Sequence, residues 1–351
     1  MQLIDVIRIF FFTALAFAVA IAWTPLLTHF LYKYKLGKSI RDAASAPIMN
    51  RLHAAKAGTP TMGGLLVWVT VTALMLGVHW LNLAFGGQTL QTLDFYSRSQ
   101  TLLPLGALVA SALVGIVDDY LNIRRIGPKG GGLRMRHRMG LYTAIAAVGA
   151  WWFYSKLEWD VFRVPFVGDF HVGAWYVAIF VLVIVATSFS VNETDGLDGL
   201  AGGVLLSSFA AYAAIAFAQG KTDLAVFCGA ITGALAAFLW FNINPARFFM
   251  GDTGAMALGV TLGIVAMLTN TALLLPVIGS VFVLESISVI IQVTSKKLRG
   301  GKKVFLSAPV HHHFEAIGWP EPKIVMRAWV IANISAITGV ALALMDHGFF
   351  K

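Results

Sequence analysis

AWYVAIFVLVIVATSFSVNETDGLDGLAGGVLLSSFAAYAAIAFA, residues 174–218, decides the fold: two apolar runs, about 174–191 and 199–218, are joined by a short turn carrying Glu193, Asp195, Asp198 and two glycines. Each run approaches the roughly 20 residues an α-helix needs to cross the ~30 Å hydrocarbon core of a bilayer. A turn so polar between runs so apolar puts the chain reversal at a membrane surface, because lipid offers no partner to unpaired polar groups. Working outward, similar runs recur at about 5–28, 62–82, 101–117, 140–156, 224–243, 253–269, 272–294 and 325–346.

Composition agrees. The 351 residues are 58% hydrophobic and 12% charged, with mean hydropathy +0.76. Folding such a chain as a water-soluble globule would leave large apolar surface in water. The expectation is an all-α, polytopic integral membrane protein of about ten transmembrane helices, forming one domain over residues 1–351. Its first apolar run carries Asp5 and Arg8 at the start, and the basic block follows rather than precedes it, so it is expected to stay as a spanning helix rather than leave as a signal peptide. Cys228, the single cysteine, falls inside the seventh run, which excludes a disulfide framework and a thiolate metal cluster.

Lys and Arg set the orientation, since cytoplasmic loops retain them. The connection after the first run holds Lys33, Lys35, Lys38, Arg41, Arg51 and Lys56. That after the third holds Arg124, Arg125, Lys129, Arg134, Arg136 and Arg138, and that before the last holds Lys296, Lys297, Arg299, Lys302, Lys303 and Lys323. With Arg247 and Arg327 added, only Arg8, Arg98, Lys156, Arg163, Lys221 and Lys351 of the 26 cations fall on the other side. Both termini are therefore expected to face the periplasm. The net charge of +9 accompanies no nucleic-acid-binding motif; anionic lipid and a polyanionic substrate are the partners it suits.

Five aspartates, Asp118, Asp119, Asp195, Asp198 and Asp252, are expected on the same cytoplasmic side. Asp118 and Asp119 end the third run, where a helix dipole disfavours anions. Pairing with Arg124 or Arg125 is the plain structural explanation; a base beside a charged neighbour is the chemical one. Asp198 reads either as an N-cap or, with Asn192, Asp195 and Gly196, as an acceptor set for a sugar or metal. Asp252, within Asn242-Ile-Asn-Pro-Ala-Arg-Phe-Phe-Met-Gly-Asp-Thr-Gly254, is likewise an N-cap or a carboxylate for Mg²⁺, and Phe249 offers a flat face to a base. Three consecutive histidines, His311 to His313, lack the i, i+4 spacing of a helical zinc pair and suit phosphate contact or proton handling better. Glu285, buried in the ninth run, is either a functional acid or a helix-to-helix tie.

Taken with Lys56-Ala-Gly-Thr-Pro-Thr-Met-Gly-Gly64, Ala308-Pro-Val-His-His-His-Phe-Glu315 and Gly318-Trp-Pro-Glu-Pro-Lys323, these stretches make the chain resemble the bacterial phospho-N-acetylmuramoyl-pentapeptide transferases of the polyprenyl-phosphate hexose-1-phosphate transferase superfamily. The resemblance implies Mg²⁺-dependent transfer of phospho-MurNAc-pentapeptide from UDP-MurNAc-pentapeptide to undecaprenyl phosphate, giving lipid I and UMP at the cytoplasmic face of the bacterial inner membrane. It implies that Asp252 holds the metal, that Asp118 is the base or positions the lipid phosphate with Asp119 in support, and that His311 stands near metal and phosphates. It further assigns Lys56, Asn192, Asp195 and His312 to the nucleotide-sugar region, Gly196, Asp198, Asn242 and Phe249 to the uridine pocket, and Thr61 and Gln292 to substrate binding, with Arg138 as the phosphate-contacting cation; it also admits a homodimer.

Three positions depart from the family pattern: Glu193 replaces an apolar residue, Ala255 a serine, and the Gly127 to Arg138 loop is rich in glycine and arginine where lysine is usual. A sibling transferase of N-acetylhexosamine 1-phosphate is the near alternative, against which the histidine loop speaks. An ion-coupled transporter is the distant one, and it would call for paired broken helices that the sequence does not display.

Overall fold

The computed structural model describes residues 3–37, 56, 58–127, 131–346 and 348. Lys38, Arg41, Arg51, Lys129 and Lys351 of the orientation argument lie outside the described residues. The chain is a helical membrane protein. In order it forms α1 (Leu3–Lys33), α2 (Leu65–Phe85), α3 (Gln88–Leu93), α4 (Leu102–Ile123), α5 (Met135–Trp151), α6 (Trp175–Thr194), α7 (Leu200–Ala218), α8 (Thr222–Asn242), α9 (Asp252–Leu268), α10 (Leu275–Ile278), α11 (Ser280–Leu298), α12 (Val310–Ala316) and α13 (Glu321–Asp346). The Val- and Ile-rich run of α6 would favour a strand in water. In lipid it becomes helical, because only a helix satisfies its backbone within one segment.

A helix occupies each of the ten apolar segments expected from the sequence. By length and composition, seven of those among the described residues can cross a bilayer: α1, α2, α4, α6, α7, α8 and α13. The ninth segment, expected as one continuous span, is broken instead. Residues 272–278 and 280–298 meet at 87°, and the break falls at Gly279, whose N–H still reaches the Leu275 carbonyl. They make an eighth crossing only if the bent pair counts as one. The all-α expectation also needs a small amendment. An antiparallel hairpin, β1 (Val161–Val164) and β2 (Gly168–His171), lies between α5 and α6 with Val161 opposite His171.

The centre is α9. Its 17 residues, about 26 Å of helix, are all buried, so it meets protein rather than lipid and need not match the bilayer thickness. It packs against α4 and α6, with α7 and α2 beside them. Small residues allow this: a Cβ on Gly259 would lie 2.8 Å from the Ser188 Cα of α6. The outer faces carry Trp80, Leu182, Trp240, Ile287, Val330 and Ile334 exposed, an apolar exterior suited to lipid.

A fully buried helix must have both ends satisfied from outside itself. At the start of α9, Asp119 accepts the N–H groups of Asp252 and Thr253 at 3.2 and 3.0 Å. At its end, the Lys221 ammonium donates to the Leu268 carbonyl at 2.6 Å, and Gln219 Nε2 donates to the Thr269 carbonyl at 2.8 Å. An anion at the N-terminus and a cation at the C-terminus both oppose the helix dipole.

Lys221 belongs to the polar end opposite the aspartates. There Arg8 pairs with Asp223 at 3.1 Å, and Arg163 pairs with Asp346 at 2.5 Å while its backbone N–H bonds Asn270. Burial pushes the Lys221 ammonium down to about 8. From about pH 8 up to the ordinary lysine range, the unfolded chain therefore holds a proton that the folded chain has released, and folding gains stability as pH rises. The melting temperature of wild type minus that of Lys221→Met is expected to increase between about pH 8 and 10 in detergent. A difference that is flat or falls with pH would refute this reading of Lys221.

Candidate active site

At the other end of the bundle, the ends of α4, α6 and α8 and the start of α9 bring the polar motifs together. Gly251, the residue before α9, has φ +72° and no side chain to cap the helix. A Cβ there would come within 2.6 Å of Asp119 Oδ2, so the glycine is what admits the α4 carboxylate to the cap. Asp119 also takes a 3.4 Å contact from Thr61 Oγ1, and Asp195 accepts the Gly251 N–H at 3.1 Å. Asp252 is thus not itself the N-cap, and its side chain is left for other work.

That side chain faces Asp118 across one cation. Arg138, in the first turn of α5, donates from Nη2 and Nη1 to Asp252 Oδ2 and Oδ1 at 3.0 and 3.3 Å and from Nη1 to Asn192 Oδ1 at 3.2 Å. Its Nε forms an ion pair with Asp118 Oδ2 at 2.5 Å. Asn192 Nδ2 bonds Asp252 Oδ1 at 2.5 Å, and the Leu133 N–H bonds Asp118 Oδ1 at 2.7 Å. Asp118 and Asp252 are 0% and 3% exposed. Asp118 therefore pairs with Arg138, rather than with Arg124 or Arg125 as the plain structural explanation had it.

Two buried carboxylates aimed at one guanidinium leave a net negative pocket, and carboxylate oxygens are the donors a hard divalent cation prefers. No group of three His, Cys, Asp or Glu side chains arranged for a metal occurs among the described residues. A donor set of one or two carboxylates fits Mg²⁺, which draws the rest of its shell from water and substrate phosphate, and does not fit a zinc-type centre.

A second cluster adjoins this one through the Asp195 to Asp198 turn. Lys56 Nζ lies 2.7 Å from Asp198 Oδ1 and 2.5 Å from Glu321 Oε1, and 5.9 Å from the centre of the half-buried Phe249 ring. Asp198 Oδ2 accepts the Asn244 amide and the Ala246 N–H at 3.0 and 3.1 Å. Asp198 is accordingly not the N-cap of α7; that position is Gly199, without a side-chain cap. Asn242 binds the Gly199 N–H and the Phe248 carbonyl at 2.9 and 2.8 Å, tying the floor of this pocket rather than standing free in it.

The histidine loop closes the third side. His311 is 1% exposed, and its Nδ1 and N–H meet Glu285 Oε2 at 2.9 and 3.3 Å. The imidazole packs on Gly196, where any Cβ would collide with Nε2. Nε2 is buried with no hydrogen-bond partner, a polar atom that awaits one. His312 Nδ1 pairs with Glu315 at 2.6 Å. Glu285, open between two readings in the sequence, orients His311. In Glu285→Leu, kcat is expected to fall about tenfold to a hundredfold with substrate KM little changed, because the imidazole loses the bond that fixes its orientation. Unchanged kcat in a folded Glu285→Leu protein would remove Glu285 from the site.

Gln292 stands apart from these clusters. Both ends of its amide bond the backbone of Val304 and Phe305, at 2.8 to 3.0 Å, and pin the loop that leads to the histidines. Glu321 was missed in the sequence, although it lies in the quoted Gly318 to Lys323 stretch. A carboxylate at the start of a spanning helix reads as ordinary dipole compensation until Lys56 and the Asp198 N–H are seen on it, the latter at 2.6 Å.

The same stretches match known proteins. Residues 101–270 match the family described as glycosyl transferase family 4, and residues 56–66 match phospho-N-acetylmuramoyl-pentapeptide-transferase signature 1. Curated relatives carrying the name phospho-N-acetylmuramoyl-pentapeptide-transferase include one from Chloroflexus aggregans, 38% identical over 97% of this chain and 91% of its own length. Others are from Shouchella clausii, 39% identical over 95% and 97%, and Moorella thermoacetica, 40% identical over 93% and 96%.

Proposed function

From the premise that the chain belongs to the phospho-N-acetylmuramoyl-pentapeptide-transferase family, we propose that its clustered aspartates move a sugar phosphate between a nucleotide and a membrane lipid. The enzyme transfers phospho-MurNAc-pentapeptide from UDP-MurNAc-pentapeptide to undecaprenyl phosphate, releasing UMP and forming lipid I. The observation that carries this reading is the pair Asp118 and Asp252, buried and facing one cation at one polar end of an apolar-sided helical bundle. Such a place admits both a water-borne diphosphate and the head of a lipid.

In the reaction, an oxygen of the lipid phosphate attacks the β-phosphorus of the donor, and the bond from that phosphorus to the UMP oxygen breaks. Mg²⁺, held by Asp252 with Asp118 facing the same point, would neutralise the diphosphate when bound. Asp118 positions the lipid phosphate or takes its last proton. Asp119 fixes the start of α9 and so the Asp252 carboxylate. His311, held by Glu285, presents Nε2 to the phosphates. Lys56, Asn192, Asp195 and His312 meet the nucleotide sugar, and Gly196, Asp198 and Phe249 receive the uridine. The bilayer topology belongs to the same proposal: ten crossings in one domain, both termini periplasmic, and the site at the cytoplasmic face of the inner membrane. The concentration of Lys and Arg in the connections on the aspartate side supports it.

The donor tests the reading. Purified enzyme with undecaprenyl phosphate is expected to consume UDP-MurNAc-pentapeptide and to leave UDP-N-acetylglucosamine untouched. Preference for the second donor would identify the sibling activity instead.

A further inference from the structure

Arg138 holds a place that the chemistry assigns to something else. Its guanidinium lies between Asp118 and Asp252, with Nε and both terminal nitrogens turned toward Asp118, Asp252 and Asn192. Two buried carboxylates against one guanidinium leave one net negative charge. Arg138 meets Asp118 through Nε and Asp252 through a fork of both terminal nitrogens. It sits in the first turn of α5 on a long side chain, 16% exposed, next to the exposed Arg134 and Arg136.

We propose that Arg138 is a resident counter-cation: it keeps Asp118 and Asp252 together before substrate arrives, competes with the divalent cation for them, and passes to the donor diphosphate once the metal has entered. The proposal rests on the reading of this site as metal-dependent phosphoryl transfer. The exchange balances charge. Without it, metal and guanidinium would crowd the same two carboxylates; with it, the metal takes the carboxylates and the guanidinium takes phosphate oxygens, which it grips bidentately. An arginine cannot empty the pocket by losing its proton, as a lysine there could, so displacement is the only route. Arg138 is then a positioning residue for the carboxylates in the resting enzyme and a substrate contact in the loaded one.

The consequence is that the resting enzyme binds metal less well than its two carboxylates allow. Mn²⁺ binding to the full-length, donor-free protein in detergent, read from the spin-resonance signal of the free ion, measures this without turnover. Arg138→Gln is expected to bind Mn²⁺ about tenfold more tightly than wild type, because a cation is removed from beside the metal. Arg138→Lys, which keeps the charge but loses the fork, is expected to fall between them and guards against a variant that fails to fold. UDP-MurNAc-pentapeptide is expected to tighten Mn²⁺ binding to wild type more than to Arg138→Gln, since it draws the guanidinium away. Unchanged or weaker Mn²⁺ binding in Arg138→Gln, with Asp252→Asn still reducing it, would overturn the proposal and leave the metal reading intact. Mn²⁺ binding unaffected by Asp252→Asn would overturn the metal reading and the proposal with it.

Discussion

In Asp252→Asn, the rate of UMP release is expected to fall by about 10³-fold or more, with the loss in kcat rather than in donor KM. The substitution changes one atom. The asparagine has the same shape and its Oδ1 can keep the Asn192 and Arg138 Nη1 bonds while its amide loses the one from Arg138 Nη2, and the start of α9 stays capped by Asp119, so the helix need not move. What disappears is a full negative charge from a pocket that is 3% exposed, where little water screens it. Single-turnover kinetics with excess enzyme separate this from a binding defect. Near-normal turnover in the variant would strip Asp252 of its assigned role.

Asp119→Ala is expected to lose activity for a different reason and to lose stability as well. Asp119 is fully buried and accepts the two N–H groups that open the central helix. Removing it leaves both donors unpaired and exposes the helix dipole to a low-dielectric surrounding, at a cost of about 3 kcal/mol. The melting temperature in detergent is expected to drop by more than about 5 °C. Asp119→Asn keeps an acceptor and is expected to recover much of that stability. If Asp119→Ala melted with wild type, the capping account of α9 would be wrong.

These two neighbouring acids, Asp119 with its helix and Asp252 with its cation, show how far the sequence can be read. The apolar runs were plain in it because lipid imposes a length and a composition on each crossing. That the aspartate motifs sit at the ends of the apolar runs was also legible, since Asp118, Asp119, Asp195, Asp198 and Asp252 each end or begin one. Which acid caps which helix was not. Asp198 and Asp252 looked like N-caps because each precedes or opens a helix, yet Gly199 and Gly251 hold those positions, and the cap on α9 comes from Asp119, 133 residues earlier. A cap supplied across the fold has no local signal.

The break at Gly279 was hidden for a related reason: a bent pair of helices and a straight span share the same hydropathy. Glu285 and Glu321 acquired meaning only when His311 and Lys56 were found on them. Residues 26 and 265 positions apart meet there because the bundle brings its ends together.

The central claim is that the site breaks the diphosphate rather than the bond from phosphate to sugar. The nucleotide released decides it. Purified wild-type enzyme given UDP-MurNAc-pentapeptide, undecaprenyl phosphate and Mg²⁺ is expected to release UMP in equal amount to the lipid-linked sugar, with neither product formed when the lipid phosphate is omitted. Release of UDP, which would keep the β-phosphate on the nucleotide, would contradict the account.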